Sequence, residues 1–277
     1  MIKRILSDVV ELLPQTIQGR IRETYWRIKS ELLYRRLYRI LQLEYTLQSG
    51  VTLKVASKGE WWTYNDISVN REYDLPIQTV LQSRSSEHPF TVLDLVANVG
   101  FFTLRVVDLM QQSSLETLAS DMTLVEGSPA TYRELQDRLS LQNLSWLSLR
   151  VVHGLVGQRE GSGFIHESAL HVKNTIMNTR QRDGVRVDLV DLVQIMEEKP
   201  TIDLLKCDVE GSELLFIQNY ADLLRRVKNA VFEFHHEQCD TTACVDLLEQ
   251  LGFHQRVLRS CHDFSICFFS KELGHGD

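Results

Sequence analysis

Cysteine is sparse and unpaired in this chain. Cys207, Cys239, Cys244, Cys261 and Cys267 are the whole set, an odd number with no C-x-x-C pair among them. That excludes a disulfide framework and a structural zinc site, and free thiols are expected. Proline and glycine are also few, 5 and 14 in 277 residues, which excludes a collagen-like or Pro/Gly-rich disordered chain. No apolar run approaches the roughly 18 residues of a membrane span. The opening MIKRILSDVVELLPQ carries Asp8 and Glu11 where a signal peptide would be apolar, so a cytoplasmic location is expected. Positive charge is in deficit at a net −7, and nucleic acid is not an expected partner.

What is present is ordinary globular composition, with 43% hydrophobic and 24% charged residues, enough to bury a sizeable core. The charge is unevenly spread. Residues 1 to 45 hold nine Lys/Arg against five Asp/Glu, a balance of +4, which leaves −11 for the rest. Within them RIRETYWRIKSELLYRRLYRILQLEY, residues 20 to 45, places Ile21, Tyr25, Ile28 and Leu32 at helical spacing, and Leu33, Leu37 and Leu41 continue the stripe. We read residues 1–48 as a helical extension and 49–277 as the main domain. The stripe is expected to pack on that domain or on a second copy of the chain. A weaker alternative is contact with an anionic membrane surface through the basic face and Tyr25, Trp26, Tyr34 and Tyr38.

VTLKVAS (51 to 57) alternates as a strand, and EWWTYNDISVNREYDLP (60 to 76) reads as a loop or short strands. From residue 91 strands alternate with helices. Strands are expected at Thr91 to Leu95, Thr123 to Glu126, Leu149 to His153, Ile202 to Asp208, Ala230 to Phe234, His254 to Arg259 and Phe264 to Phe269. Helices are expected at Ala130 to Ser140, Ser212 to Arg226 and Thr241 to Leu251. Such alternation implies an α/β fold with a mostly parallel sheet covered by helices on both faces. The last two strands are joined only by SCHD, too short for a crossover, so they should pair antiparallel.

Ligands of such sheets lie beyond the carboxyl ends of the strands. TVLDLVANVGFFTL puts Asp94 near the end of the first strand, before a turn that leads into a helix, and Glu126 ends the second. An acid at the second tip is placed to accept both hydroxyls of a ribose. The stretch IDLLKCDVEGSELLFIQ packs Asp208, Glu210 and Glu213 around Gly211 behind Lys206. A helix dipole accounts for Glu213 alone. In VFEFHHEQ, Glu233 and His235 share a face by period-two alternation. For proton abstraction from an alcohol, His235 or Asp208 is the candidate base, with His235 preferred on its intrinsic pKa. Asp208, Glu233 and His235 could alternatively hold a divalent cation, although their spacing matches no known signature, and the expectation is no metal.

Together VLDLVANVGFFTL, LVEGSPATYRELQDRL, VRVDLVDLVQIM and TIDLLKCDVEGSELLFIQ resemble the FkbM-type methyltransferases, over about residues 60 to 270. The resemblance implies the class I methyltransferase (Rossmann-like) fold, a seven-stranded mostly parallel sheet with an antiparallel last strand. It also implies S-adenosylmethionine as cofactor and O-methylation of a hydroxyl on a sugar or other natural-product small molecule. By resemblance, Asp94, Val96, Ala97, Asn98, Gly100 and Phe102 would line the methionine end of the donor. Glu126, with Gly127 beside it, would hold the ribose, and Tyr73 would belong to a lid. Asp208 and Glu210 would face the transferred methyl group and the acceptor. The departure is Val96, where the family pattern has glycine, and Gly127 replaces a common proline. The turn is expected to have adapted to Val96 in a β-like conformation. A methyltransferase-like protein with weakened donor binding is the other reading.

Overall fold

The computed structural model describes residues 40–84, 88–115, 118–166, 175–177 and 184–271, with scattered positions from 24 to 38. The described positions between Thr24 and Leu41 are helical. Ile21, Tyr25, Trp26 and Ile28 lie outside the described residues. The helix ends with its stripe at Leu41, where Gln42 takes a positive φ of 42° and β1 (Leu43–Thr46) turns back to pair antiparallel with β2 (Thr52–Val55). Leu32, Leu33, Leu37 and Leu41 are exposed, while Tyr38 packs against the core.

Residues 60 to 76 form helices instead of the expected loop or strands. Helix α1 (Lys58–Tyr64) continues into a π-helical turn (Asn65–Val69), and α2 (Asp74–Ser83) follows. The missed signal was Ser57-Lys58-Gly59-Glu60, a capping-box pattern. Ser57 Oγ accepts from the Glu60 N–H, and Glu60 Oε2 accepts from the Ala56 N–H.

The sheet expectation holds. The remaining strands are β3 (Phe90–Leu95), β4 (Ser120–Glu126), β5 (Ser148–His153), β6 (Ser162–His166), β7 (Thr175–Met177), β8 (Val185–Asp188), β9 (Ile202–Cys207), β10 (Val227–His235), β11 (His254–Ser260) and β12 (Phe264–Ser270). Seven of them form one sheet in the order β5-β4-β3-β9-β10-β12-β11, in which β12 runs antiparallel to both neighbours. This is the class I methyltransferase arrangement. β6, β7 and β8 form a separate three-stranded sheet in the order β7-β6-β8.

The helices are α3 (Phe101–Gln112), α4 (Pro129–Ser140), α5 (Leu192–Ile195), α6 (Glu213–Asn219), α7 (Ala221–Arg225) and α8 (Thr241–Gln250). The expected single helix over Ser212 to Arg226 is broken at Tyr220, whose hydroxyl donates to Val190 O at 2.9 Å. Strand alternation divides the core. Val92, Leu124, Leu204 and Val231 face α2, α3 and α4; Leu93, Val125, Leu205 and Phe232 face α5 to α8. Buried charge ties the N-terminal elements to the first face. Arg105 on α3 grips Asp74 of α2 through two bonds, 2.8 and 2.5 Å, and Arg138 on α4 reaches Glu60 of α1 at 2.6 Å.

Candidate active site

At the tip of β3 the chain makes a tight left-handed turn. Val96, Asn98 and Gly100 have φ of 56°, 52° and 89°. Val96 has therefore not relaxed into the β-like conformation that the sequence suggested; it holds a left-handed geometry that favours glycine. Its neighbours over-determine that geometry. Lys206 Nζ donates to the Val96 carbonyl at 3.2 Å, and the Ala97 N–H donates to Val125 O at 2.9 Å. The Asn98 N–H donates to Glu126 Oε2 at 2.9 Å, and the Gly100 N–H closes the turn on Ala97 O at 2.9 Å. Gly100 is required twice over. Its φ favours glycine, and a Cβ there would meet Leu135 Cδ1 at 2.9 Å.

Glu126 sits at the neighbouring tip, 3% exposed, its other oxygen accepting the Ser128 N–H at 2.8 Å. Burial raises its pKa to about 7 against the lowering effect of the two backbone donors. Asp94 is fully buried. It accepts from Thr103 Oγ1 at 2.8 Å and faces Lys206 Nζ at 3.8 Å, and burial outweighs both to raise it to about 6. Val96, Gly127, Gly154, Leu155, Val156, Val209 and Glu210 line a cleft between these tips and β9. His153 packs against Tyr132, and its Nε2 lies 3.1 Å from Gly127 O.

A second group gathers at the ends of β9 and β10. Asp208, Glu233 and His235 each present one ligand atom within 4.8 Å of one another. His235 Nε2 lies 3.6 Å from Glu210 and 3.8 Å from Glu233, and its Nδ1 lies 3.7 Å from Glu213. Burial works against the imidazolium, but Glu213, Asp208, Glu210 and Glu233 outweigh it and raise its pKa to about 9. Burial, followed by Asp208, raises Glu210 to about 7 and Glu233 to about 8. The raised pKa favours the protonated imidazole, which weighs toward Asp208 over His235 as the candidate base. Lys206, buried between Asp94 and Asp208, is raised further because their charges outweigh its desolvation. Glu210 and Gly211 are both left-handed, φ 51° and 93°, and a Cβ on Gly211 would meet Gln238 Cβ at 2.7 Å.

Most of the expected residues therefore converge. Asp94, Val96, Ala97, Asn98, Gly100, Glu126 and Gly127 build the β3–β4 tips, and Asp208, Glu210 and His235 build the β9–β10 tips. Two fall elsewhere. Tyr73 is buried at the start of α2 and donates to Glu233 Oε2 at 3.2 Å, and Phe102 is a core residue packed edge-on against Tyr73. Tyr73 thus borders the second group, and Phe102 touches Tyr73. The part of Lys206 in linking the two groups escapes sequence reading, because it depends on β9 lying between β3 and β10.

No curated protein sequence matches the chain. Among solved structures, a SAM-dependent methyltransferase from Agrobacterium tumefaciens is 11% identical with a TM-score of 0.48, over 83% of this chain and 70% of that one. Precorrin-6y C5,15-methyltransferase from Geobacter metallireducens is 14% identical at 0.44, over 72% and 88%. A methyltransferase FkbM from Methylobacillus flagellatus is 14% identical at 0.43, over 66% of this chain but 43% of that one. The methyltransferase FkbM domain family matches residues 94–261, from the acid ending β3 to the hairpin between β11 and β12. That span is more than half of the chain and contains both groups of tip residues, and the protein belongs to the FkbM methyltransferase family.

Proposed function

We propose that the chain transfers the methyl group of S-adenosylmethionine to a hydroxyl of a small-molecule acceptor, a sugar or secondary metabolite. The observation that carries this reading is the junction of the two tip groups through Lys206, whose ammonium touches Val96 O, Asp94 and Asp208. The donor-side residues fit such a ligand. Asp94 Oδ1 is buried without a hydrogen-bond partner among the described residues, with the Lys206 ammonium 3.8 Å away to balance its charge. Glu126 keeps lone pairs beyond the two that Asn98 and Ser128 use.

Bound S-adenosylmethionine supplies a methyl carbon already activated by its sulfonium, so the protein contributes chiefly position and a dry pocket. Asp208 Oδ1, likewise buried without a partner among the described residues, is the proton acceptor for the acceptor hydroxyl. His235 and Lys206 hold the surrounding carboxylates, and Tyr73 orients Glu233. Calorimetric titration with S-adenosylhomocysteine tests the donor half of the reading. Binding is expected, and Glu126→Ala should weaken it at least tenfold, the scale of a charge-assisted hydrogen bond at about 1.5 to 3 kcal/mol. Absence of binding by the unaltered chain would favour a methyltransferase-like protein that has lost its donor.

The three ligand atoms of Asp208, Glu233 and His235 support a second reading, a divalent cation that holds a vicinal diol. One feature opposes it: Lys206 already places a cation 3.4 Å from Asp208. Methyl transfer is therefore expected to survive a chelator. Loss of turnover with EDTA and its recovery with magnesium or manganese would establish the metal reading.

A further inference from the structure

The turn that leaves β10 brings two cysteines together. Asp240 caps α8, its Oδ1 accepting the Ala243 N–H at 3.0 Å. Cys239 thus stands just before the cap and Cys244 at the fourth helical position, the two sites that touch across a helix start in a hydrophobic staple. Here both are thiols, with their sulfurs 3.2 Å apart. Cys244 is fully buried, and Cys239 is only partly so.

Cys239 is also tied to the site. The His235 carbonyl accepts the N–H groups of Gln238 and Cys239 at 2.9 and 3.0 Å. Glu213, which faces His235 Nδ1, acts on the Cys239 sulfur as well. We propose that Cys239 and Cys244 are a redox pair, a disulfide-forming modification site whose closure is transmitted to His235. The pairing stands on its own geometry; only its importance for catalysis rests on the methyl-transfer reading.

The chemistry balances with a hydroperoxide as oxidant. The Cys239 thiolate attacks the peroxide oxygen, the O–O bond breaks, and the alcohol or water leaves to give a sulfenic acid. The Cys244 sulfur then attacks that sulfur, the S–S bond forms, and the hydroxyl departs as water with the Cys244 proton. The two thiols lose two electrons, and the peroxide gains them. The roles follow from position. Cys239 is accessible, and the Cys244 thiol aimed at its sulfur lowers its pKa against burial and Glu213. The buried Cys244 thiol is raised and keeps its proton. Closure must draw the sulfurs from 3.2 Å to the roughly 2.05 Å of a disulfide, moving the residue whose N–H binds His235.

The test uses the full chain carrying Cys261→Ser, which removes the exposed cysteine as a source of intermolecular bridges. Hydrogen peroxide should remove two alkylatable thiols, and peptide mapping should join Cys239 to Cys244. The His235 imidazole NMR signal should shift, and dithiothreitol should reverse all three changes. In a further Cys239→Ser variant the linked peptide and the signal shift should both be lost. Cys239 and Cys244 both remaining alkylatable, or a bridge forming elsewhere, would overturn the pair. A Cys239–Cys244 bridge that left the His235 signal in place would overturn its transmission. A failure of S-adenosylhomocysteine binding would leave the thiol count and the peptide map untouched, so the two readings fail separately.

Discussion

Val96 is the residue at which local preference and tertiary geometry disagree most. Left-handed backbone costs an L residue about 1 to 2 kcal/mol, and the branched Cβ of valine makes it a rare occupant. The glycine variant removes that strain but gives up about 0.5 to 1 kcal/mol through unfolded-state entropy. We therefore expect Val96→Gly to raise the urea midpoint, for a net gain in stability of up to about 1.5 kcal/mol. It should also tighten S-adenosylhomocysteine binding, since Val96 lines the cleft. A lower midpoint would show that the isopropyl packing against the second core face outweighs the strain. The valine is held in place by Lys206, which binds its carbonyl, and by the Asn98 tie to Glu126.

At the level of elements, the site depends on helices that local sequence alone does not place. α2 delivers Tyr73 to Glu233, and its position rests on Arg105, which holds Asp74 and also Asp108 with side chains no more than 11% exposed. Removing one member of a buried ion network strands the others and typically costs about 3 to 5 kcal/mol. Arg105→Met should cost that order of stability, read by urea unfolding. The loss should be partly restored by adding Asp74→Leu, because the second change removes a stranded charge. A single substitution with no effect would mean that water solvates this network.

Across the whole molecule the tip residues share one electrostatic signature. Asp94, Glu126, Glu210 and Glu233 are raised, to about 6, 7, 7 and 8, and His235 to about 9. Each group holds its proton more tightly folded than unfolded, so each contribution is complete below the unfolded pKa and is lost as pH rises through the folded value. The carboxyls place that loss between roughly pH 4 and 8, and His235 extends it from about 6.5 to 9. Unfolding free energy measured in urea should therefore decline from pH 5 to pH 9. His235→Gln should flatten the upper part of that decline, and a stability maximum near pH 8 would contradict the scheme. Carboxyls held this far from their ordinary range are a common feature of sites that bind cations or move protons.

The seven-stranded sheet and its closing hairpin were legible in the sequence, because the alternation of strands with helices from residue 91 and the four-residue SCHD link are local signals. So were Asp94, Glu126 and Asp208, since an acid at a strand's carboxyl end is placed by the sheet once the strand is recognised. What the sequence alone left open depended on contacts between distant segments. α1 and α2 are docked by ion pairs from Glu60 and Asp74 to residues on α4 and α3, although the capping box that starts α1 is local. The left-handed Val96 is imposed by a lysine 110 positions further along the chain. The raised pKa of His235 comes from carboxylates on β10 and from the turn and helix that follow β9. Residue type and spacing specify which groups reach the end of the sheet, but their charge state and backbone strain depend on which neighbours the fold buries beside them.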